Sequence, residues 1–166
     1  MNRELLYPHK GLYPYKGLYP YRLSPLIELI FDRTDIDVLN QTDKAFIDYK
    51  DLNRVESAIQ YIAGLLNKNR FYVTVNVKTD WDMRDFRTQE DMDRIRNNML
   101  AMENAYLRPY GAPAIPAKIT YTTYQEANDI EKYLYEIGTS IENYVPANDH
   151  LPRKLGEKPF GNRRIA

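Results

Sequence analysis

With 166 residues, 43% of them hydrophobic, the chain has room for one small domain and its tails. Its 23 Lys and Arg balance 23 Asp and Glu, which excludes the overall positive field that draws a protein to nucleic acid or an anionic membrane. It has no cysteine, which excludes disulfides and thiolate metal sites.

The charge balance is local rather than uniform. Residues 1–25 hold four cations (Arg3, Lys10, Lys16, Arg22) against Glu4, a net of +3. Residues 146–166 hold five cations (Arg153, Lys154, Lys158, Arg163, Arg164) against Asp149 and Glu157, again +3, which leaves −6 for the middle. Basic ends on an acidic body suggest segments that reach acidic neighbours, copies of the same body among them.

The N-terminal segment repeats one phrase three times with a period of six residues: Leu6-Tyr7-Pro8-His9-Lys10-Gly11, Leu12-Tyr13-Pro14-Tyr15-Lys16-Gly17 and Leu18-Tyr19-Pro20-Tyr21-Arg22-Leu23. Each Pro fixes its own φ and pushes the preceding Tyr into extended backbone, and Gly11 and Gly17 interrupt any helix. Ordering such a chain costs about 1–2 kcal/mol per residue. Each hexad regains about 1.5–3 kcal/mol from a buried Leu and a few more from its Tyr rings. An arm with so even a balance is held only by a foreign surface offering pockets for Leu6, Tyr7, Pro8, Leu12, Tyr13, Pro14, Leu18, Tyr19 and Pro20. The arm contains neither PxxP nor PPxY, so it is a poor ligand for SH3 or WW domains.

No N-terminal apolar run is long enough for a signal peptide, and none anywhere is long enough to span a membrane. The expectation is a protein made and folded in a cytoplasm.

A short element is expected after Thr34, with Asp35, Ile36, Val38 and Leu39. Residues 52–68 place Leu52, Val55, Ile59, Ile62 and Leu66 at helical spacing, with Asp51 as a plausible N-cap. The stretch Phe71-Tyr72-Val73-Thr74-Val75-Asn76-Val77 alternates like a strand. Residues 89–107 carry Met92, Ile95, Met99, Met102 and Tyr106 on one stripe, preceded by a Thr88–Asp91 capping box. Lys118-Ile119-Thr120-Tyr121 alternates again. Residues 124–144 repeat Ala127, Ile130, Leu134, Ile137, Ile141 and Tyr144, with a Thr123–Glu126 capping box at the start and Pro146 as the stop. The predicted fold is mainly α: a small three-helix bundle with a short β-ribbon made by the two alternating stretches. Extended arms flank it, giving an arm at 1–26, a helical body at 27–145 and a basic tail at 146–166.

Catalytic patterns are missing. The two histidines, His9 and His150, sit in the tails, and no P-loop, dinucleotide fingerprint or HExxH occurs. Asp80, Asp82 and Asp85 cluster around Trp81, and Asp32, Asp35 and Asp37 cluster near Arg33. Such carboxylates can ligate Ca²⁺, but the EF-hand glycine and terminal Glu are missing, so solvated loops or helix-start acids are the better reading, and no metal or cofactor is expected. The Met92, Met99 and Met102 stripe reads as core. The basic tail with Phe160 is at most a weak phosphate tether, so neither nucleic acid nor membrane is an expected partner.

Four stretches carry a resemblance. Tyr49-Lys50-Asp51-Leu52-Asn53-Arg54-Val55-Glu56, running into Ala58-Ile59-Gln60-Tyr61-Ile62, resembles the "DLNRVE…YL" segment of tail structural proteins of phages that infect Gram-positive bacteria. Trp81 with Thr88-Gln89-Glu90-Asp91-Met92-Asp93-Arg94-Ile95-Arg96-Asn97-Asn98 resembles the same family's "W…D…T…DM.R…N" stretch. Ile119-Thr120-Tyr121 with Glu126-Ala127-Asn128-Asp129-Ile130-Glu131-Lys132 resembles its "LTYxEANxIEK" stretch, and tandem Leu-Tyr-Pro repeats also occur there. The resemblance implies a non-enzymatic virion component: a baseplate or tail-tip piece, or a fibre connector, present in several copies beside other tail and baseplate proteins. It is assembled in the host cytoplasm and located in the virion tail. The alternative is a cell-envelope carbohydrate-binding or adaptor module using Trp81 and loop tyrosines as a platform. A paired-carboxylate enzyme comes third.

Overall fold

Two short turns and a short helix precede the long helices in a computed structural model that describes residues 24–150, with side chains through residue 144. The proposed arm contacts at Leu6 to Pro20 and the tail after His150 lie outside the described residues. Ser24 caps a 3-10 turn, Pro25–Glu28. A five-residue helix α1 (Asp35–Leu39) and a second 3-10 turn (Asp43–Ala45) follow, then the long helices α2 (Tyr49–Lys68), α3 (Gln89–Ala105) and α4 (Tyr124–His150). The mainly α expectation holds.

Local chemistry sets the helix ends. α1 starts at the expected place, with Thr34 and Asp37 closing a capping box. α2 begins a turn earlier than its hydrophobic pattern indicated. Asp48 is the cap and accepts from the Lys50 and Asp51 amides, while the Asp51 carboxylate accepts from the Asp48 amide at 2.8 Å. Asp51 is therefore the third residue of a capping box and not the cap itself. α3 has the expected Thr88–Asp91 box and stops at Ala105, where Tyr106 turns extended. At α4, Thr123 Oγ1 accepts from the Glu126 amide at 3.2 Å. The Glu126 carboxylate reaches further back than a capping box requires, taking the Thr120 amide and hydroxyl and the Thr122 amide. α4 also continues through Pro146 to His150 instead of ending at Tyr144; the proline withdraws one donor from the ladder without breaking it.

The three long helices run parallel. Arg54 meets Glu131 and Tyr61 meets Glu142, so α2 and α4 advance together. Tyr133 donates to the Met99 carbonyl and Tyr106 bonds Ser140, so α3 advances with them. Each long helix is therefore paired with a segment running the opposite way, and those after α2 and α3 bring the chain back to its starting end.

The alternating stretches are parts of these returns. At the end of α2, the amides of Arg70 and Phe71 bond the carbonyls of Asn67 and Leu66, a Schellman-type reversal with Arg70 at φ 69°. Residues 71–81 then run back along α2, with Val73 opposite Asn67, Lys78 opposite Glu56 and Trp81 opposite Asn53. Residues 116–121 run back along α3, through Arg96 to the Pro116 carbonyl, Gln89 to the Ile119 carbonyl and Arg87 to the Tyr121 carbonyl. Residues 24–33 run back along α4, from Ser24 at Glu142 to Arg33 at Asn128.

The expected β-ribbon does not form: no strand exists among the described residues, and no backbone bond links 71–77 with 118–121. Alternation is real nonetheless, since Phe71, Val73, Val75 and Val77 pack on the core while Tyr72, Thr74 and Asn76 face out. Instead of a partner strand, asparagine carboxamides supply the bonds. Asn53, Asn67, Asn98 and Asn128 each donate to the carbonyl and accept from the amide of one residue: Trp81, Val73, Asn76 and Arg33 respectively. A carboxamide offers a donor and an acceptor side by side, as one residue of a β-ladder does.

The core is the expected one. Val55, Ile59, Ile62 and Leu66 of α2 meet Met92, Ile95, Met99 and Met102 of α3 and Ile130, Leu134, Ile137 and Ile141 of α4. Leu26 adds a knob from the first return, and Gly138 is its socket: a Cβ there would lie 2.5 and 2.7 Å from the two Leu26 methyls. Gly138→Ala gains about 1 kcal/mol of helix propensity but displaces a side chain whose burial contributes about 1.5–3 kcal/mol. We expect a net loss of stability in urea unfolding, with Leu26→Ala/Gly138→Ala no less stable than Leu26→Ala alone. Gly138→Ala unfolding at the wild-type midpoint would refute the knob-and-socket account.

Candidate interaction surface

The polar residues with the most constrained geometry lie inside the body. Glu131 is fully buried on α4. Its Oε1 accepts from Arg33 Nη2 at 2.7 Å and Arg54 Nη2 at 3.0 Å, and its Oε2 from Arg54 Nε at 2.9 Å and the Ile30 amide at 2.6 Å. Asp51 joins both guanidiniums from the start of α2, 3.1 Å from Arg33 Nη2 and in contact with Arg54 Nη2. Arg33 also donates to the carbonyls of Ile30 and Lys44. Two cations and two anions thus form a neutral clasp joining the first return to α2 and α4. Burial works against the Arg54 charge, but Glu131 and Asp51 outweigh it and raise its pKa.

A second clasp centres on Glu56 of α2, also fully buried. Its Oε1 takes Trp81 Nε1 and Arg94 Nη2, both at 2.9 Å; its Oε2 takes the Lys78 amide at 2.6 Å and Arg94 Nη1 at 3.0 Å. Burial pushes this carboxyl above its ordinary range, opposed by those four donors. A carboxylate has about four lone-pair sites, and in Glu131 and Glu56 all four are occupied from within the chain. Such groups position segments; they hold no free site for a substrate proton. Tyr121 lies near the first clasp with φ 51°, and its buried hydroxyl has no partner. Burial first, and then Glu131, raise its pKa.

The structure distributes the other singled-out residues. Trp81 is 4% exposed, under Lys78 Nζ at 4.2 Å from its ring centroid, so it presents no face on which a sugar can stack. The methionine stripe is core. The aspartates do not converge: Asp37 closes the α1 capping box by accepting from the Thr34 amide, Asp35 accepts from the Tyr124 hydroxyl, Asp32 pairs with Lys44 and Asp85 with Lys78, and Asp82 caps the turn at Arg84. Among the described residues no group of three or more His, Cys, Asp or Glu is placed to hold a metal ion, and no helix is long and apolar enough to cross a membrane.

What remains is the surface. Parallel helices give the body two unlike ends. At the end where α2, α3 and α4 start, Ile36, Leu39, Phe46, Met83 and Phe86 are 59–91% exposed. Residues 32–50 and 78–93, which form this end, contain eleven acids and six cations. Acids suit helix starts because they meet unpaired amides and the positive dipole end. Asp48 sits between two open clefts there. One is lined by Ile47, Tyr49, Leu52 and Met83, the other by Ile30, Phe46, Lys44 and Lys50. At the opposite end, Ser24 donates to Glu142, only eight residues before His150. Ser24 and His150, the described residues next to the two basic termini, therefore lie at the end remote from the acidic one, where Leu107 is also exposed. The sequence reading missed this surface; its signal was a short helix whose apolar residues had no periodic partner.

The chain matches no family model, no curated protein and no solved structure.

Proposed function

We propose that this protein is a non-enzymatic structural component of a phage tail or tail-like particle. Its place is a baseplate or tail-tip piece, or a fibre connector, in which a three-helix bundle packs among other tail proteins and its arms dock on neighbours. The Leu-Tyr-Pro triplet carries this reading: three copies of an apolar, aromatic and cationic phrase precede a body that has a helical core of its own. The exposed Ile36, Leu39, Phe46, Met83 and Phe86 support it, because an apolar surface rimmed by polar groups marks a contact site. The burial of Trp81 takes the tryptophan out of the platform on which the carbohydrate-binding alternative rested and leaves it the exposed loop tyrosines Tyr72 and Tyr110.

Deletion of residues 1–22 tests the reading. The truncated chain should keep its helical circular dichroism and melting temperature and be absent from purified particles. Incorporation at the wild-type level would refute it.

A further inference from the structure

We infer that the acidic end of one copy is the receptor for the Leu-Tyr-Pro arm of another copy. The inference rests on the function proposed above and adds the partner and the site.

Chemistry on the two sides is complementary. Each arm hexad offers a Leu, one or two Tyr and a cation, and residues 1–25 carry +3. The acidic end offers exposed Ile36, Leu39, Phe46 and Met83; one cleft there sets Asp48, Asp82 and Asp85 against Arg87 alone, while its neighbour across Asp48 balances its aspartates with Lys44, Lys50 and Arg54. Its eleven acids against six cations account for −5 of the −6 carried between the basic termini. Apolar side chains in clefts with cations on an acidic rim combine burial with electrostatic steering.

Geometry favours a second copy over the chain's own body. Residues 33 to 24, read backwards along α4, head away from the acidic end. Ser24, where the arm joins the body, lies at the far end, and Pro8, Pro14 and Pro20 favour extended backbone over a hairpin back. Twenty-three residues extended at about 3.1 Å each reach about 70 Å, well beyond the length of α4 at about 1.5 Å per residue.

The test mixes full-length ¹⁴N and ¹⁵N chains and couples amines to carboxylates with a carbodiimide. The expected products join Lys10 or Lys16 of one isotope to Asp35, Asp43, Asp48 or Asp82 of the other. Phe46→Asp/Met83→Asp changes only exposed side chains and should lower their yield about ten-fold or more. Links from Lys10 and Lys16 only within one chain, only to acids elsewhere, or absent at millimolar protein overturn the inference. Particle incorporation separates it from the broader reading. Exclusion of both Phe46→Asp/Met83→Asp and the chain lacking residues 1–22 supports it. Entry of the first with exclusion of the second overturns it and leaves the proposed function standing. Entry of both overturns both. Crosslinking of the unmodified chain decides the matter should the double variant fail to fold.

Discussion

Glu131→Gln is expected to destabilise the body by about 3–5 kcal/mol, the cost of breaking a buried ion pair from one side. Arg33 is the reason. Its side chain is 1% exposed and its charge is met by Glu131 and Asp51. A glutamine removes one of two anions from a neutral cluster and turns an NH₂ group toward guanidinium donors. Against a total stability of about 5–15 kcal/mol, such a loss leaves a large unfolded fraction on mild heating. The Ile30 amide donates to Glu131 as well, so hydrogen exchange at Ile30 and Arg33 should accelerate before exchange in the α2 interior. In an Arg33→Met background the same change should cost markedly less, because the two residues are coupled. A loss of less than about 1 kcal/mol from urea unfolding of the single variant would show that the clasp carries little electrostatic stability.

Trp81→Ala is expected to cost about 3–5 kcal/mol, the usual range for deleting a buried tryptophan. The indole closes the start of α2 and α3 and supplies one of the four donors to Glu56. Trp81→Phe separates these contributions: it keeps a ring and removes the N–H, at about 1–3 kcal/mol for an acceptor left short of a partner. The consequence for function assays is direct. Loss of glycan binding in Trp81→Ala would report a damaged body rather than a lost sugar contact, so any such assay needs a melting curve beside it. A Trp81→Ala chain that melts with the wild type would overturn the structural role assigned to this residue.

The three helices were legible because their apolar residues recur at helical spacing, from Leu52 to Leu66, Met92 to Met102 and Ala127 to Tyr144. Their parallel course was not, because periodicity carries no direction. The alternating 71–77 stretch correctly announced extended backbone with one buried face; it said nothing about a partner, and asparagine side chains took that place. A signal for them existed. Glu56 sits beside Val55 near the apolar stripe of α2, Asn98 next to Met99, and Glu131 next to Ile130, and a polar group so close to a buried row demands partners. Arg33 was visible only as the cation beside Asp32, Asp35 and Asp37; its burial in the clasp was not legible, since it stands between short elements with no period. The early start of α2 was missed because the Asp48–Asp51 pair lies ahead of its first core residue.

The common direction of α2, α3 and α4 makes the two ends of this body chemically different, and the joint inferred above, between the arm of one copy and the acidic end of the next, is heterologous. Such a joint repeats by one fixed rotation, which closes into a ring if it divides a full turn and otherwise winds into an open helix. Stoichiometry would then be set by the angle at a single contact, and a small change in that angle would alter the number of subunits rather than the strength of the joint.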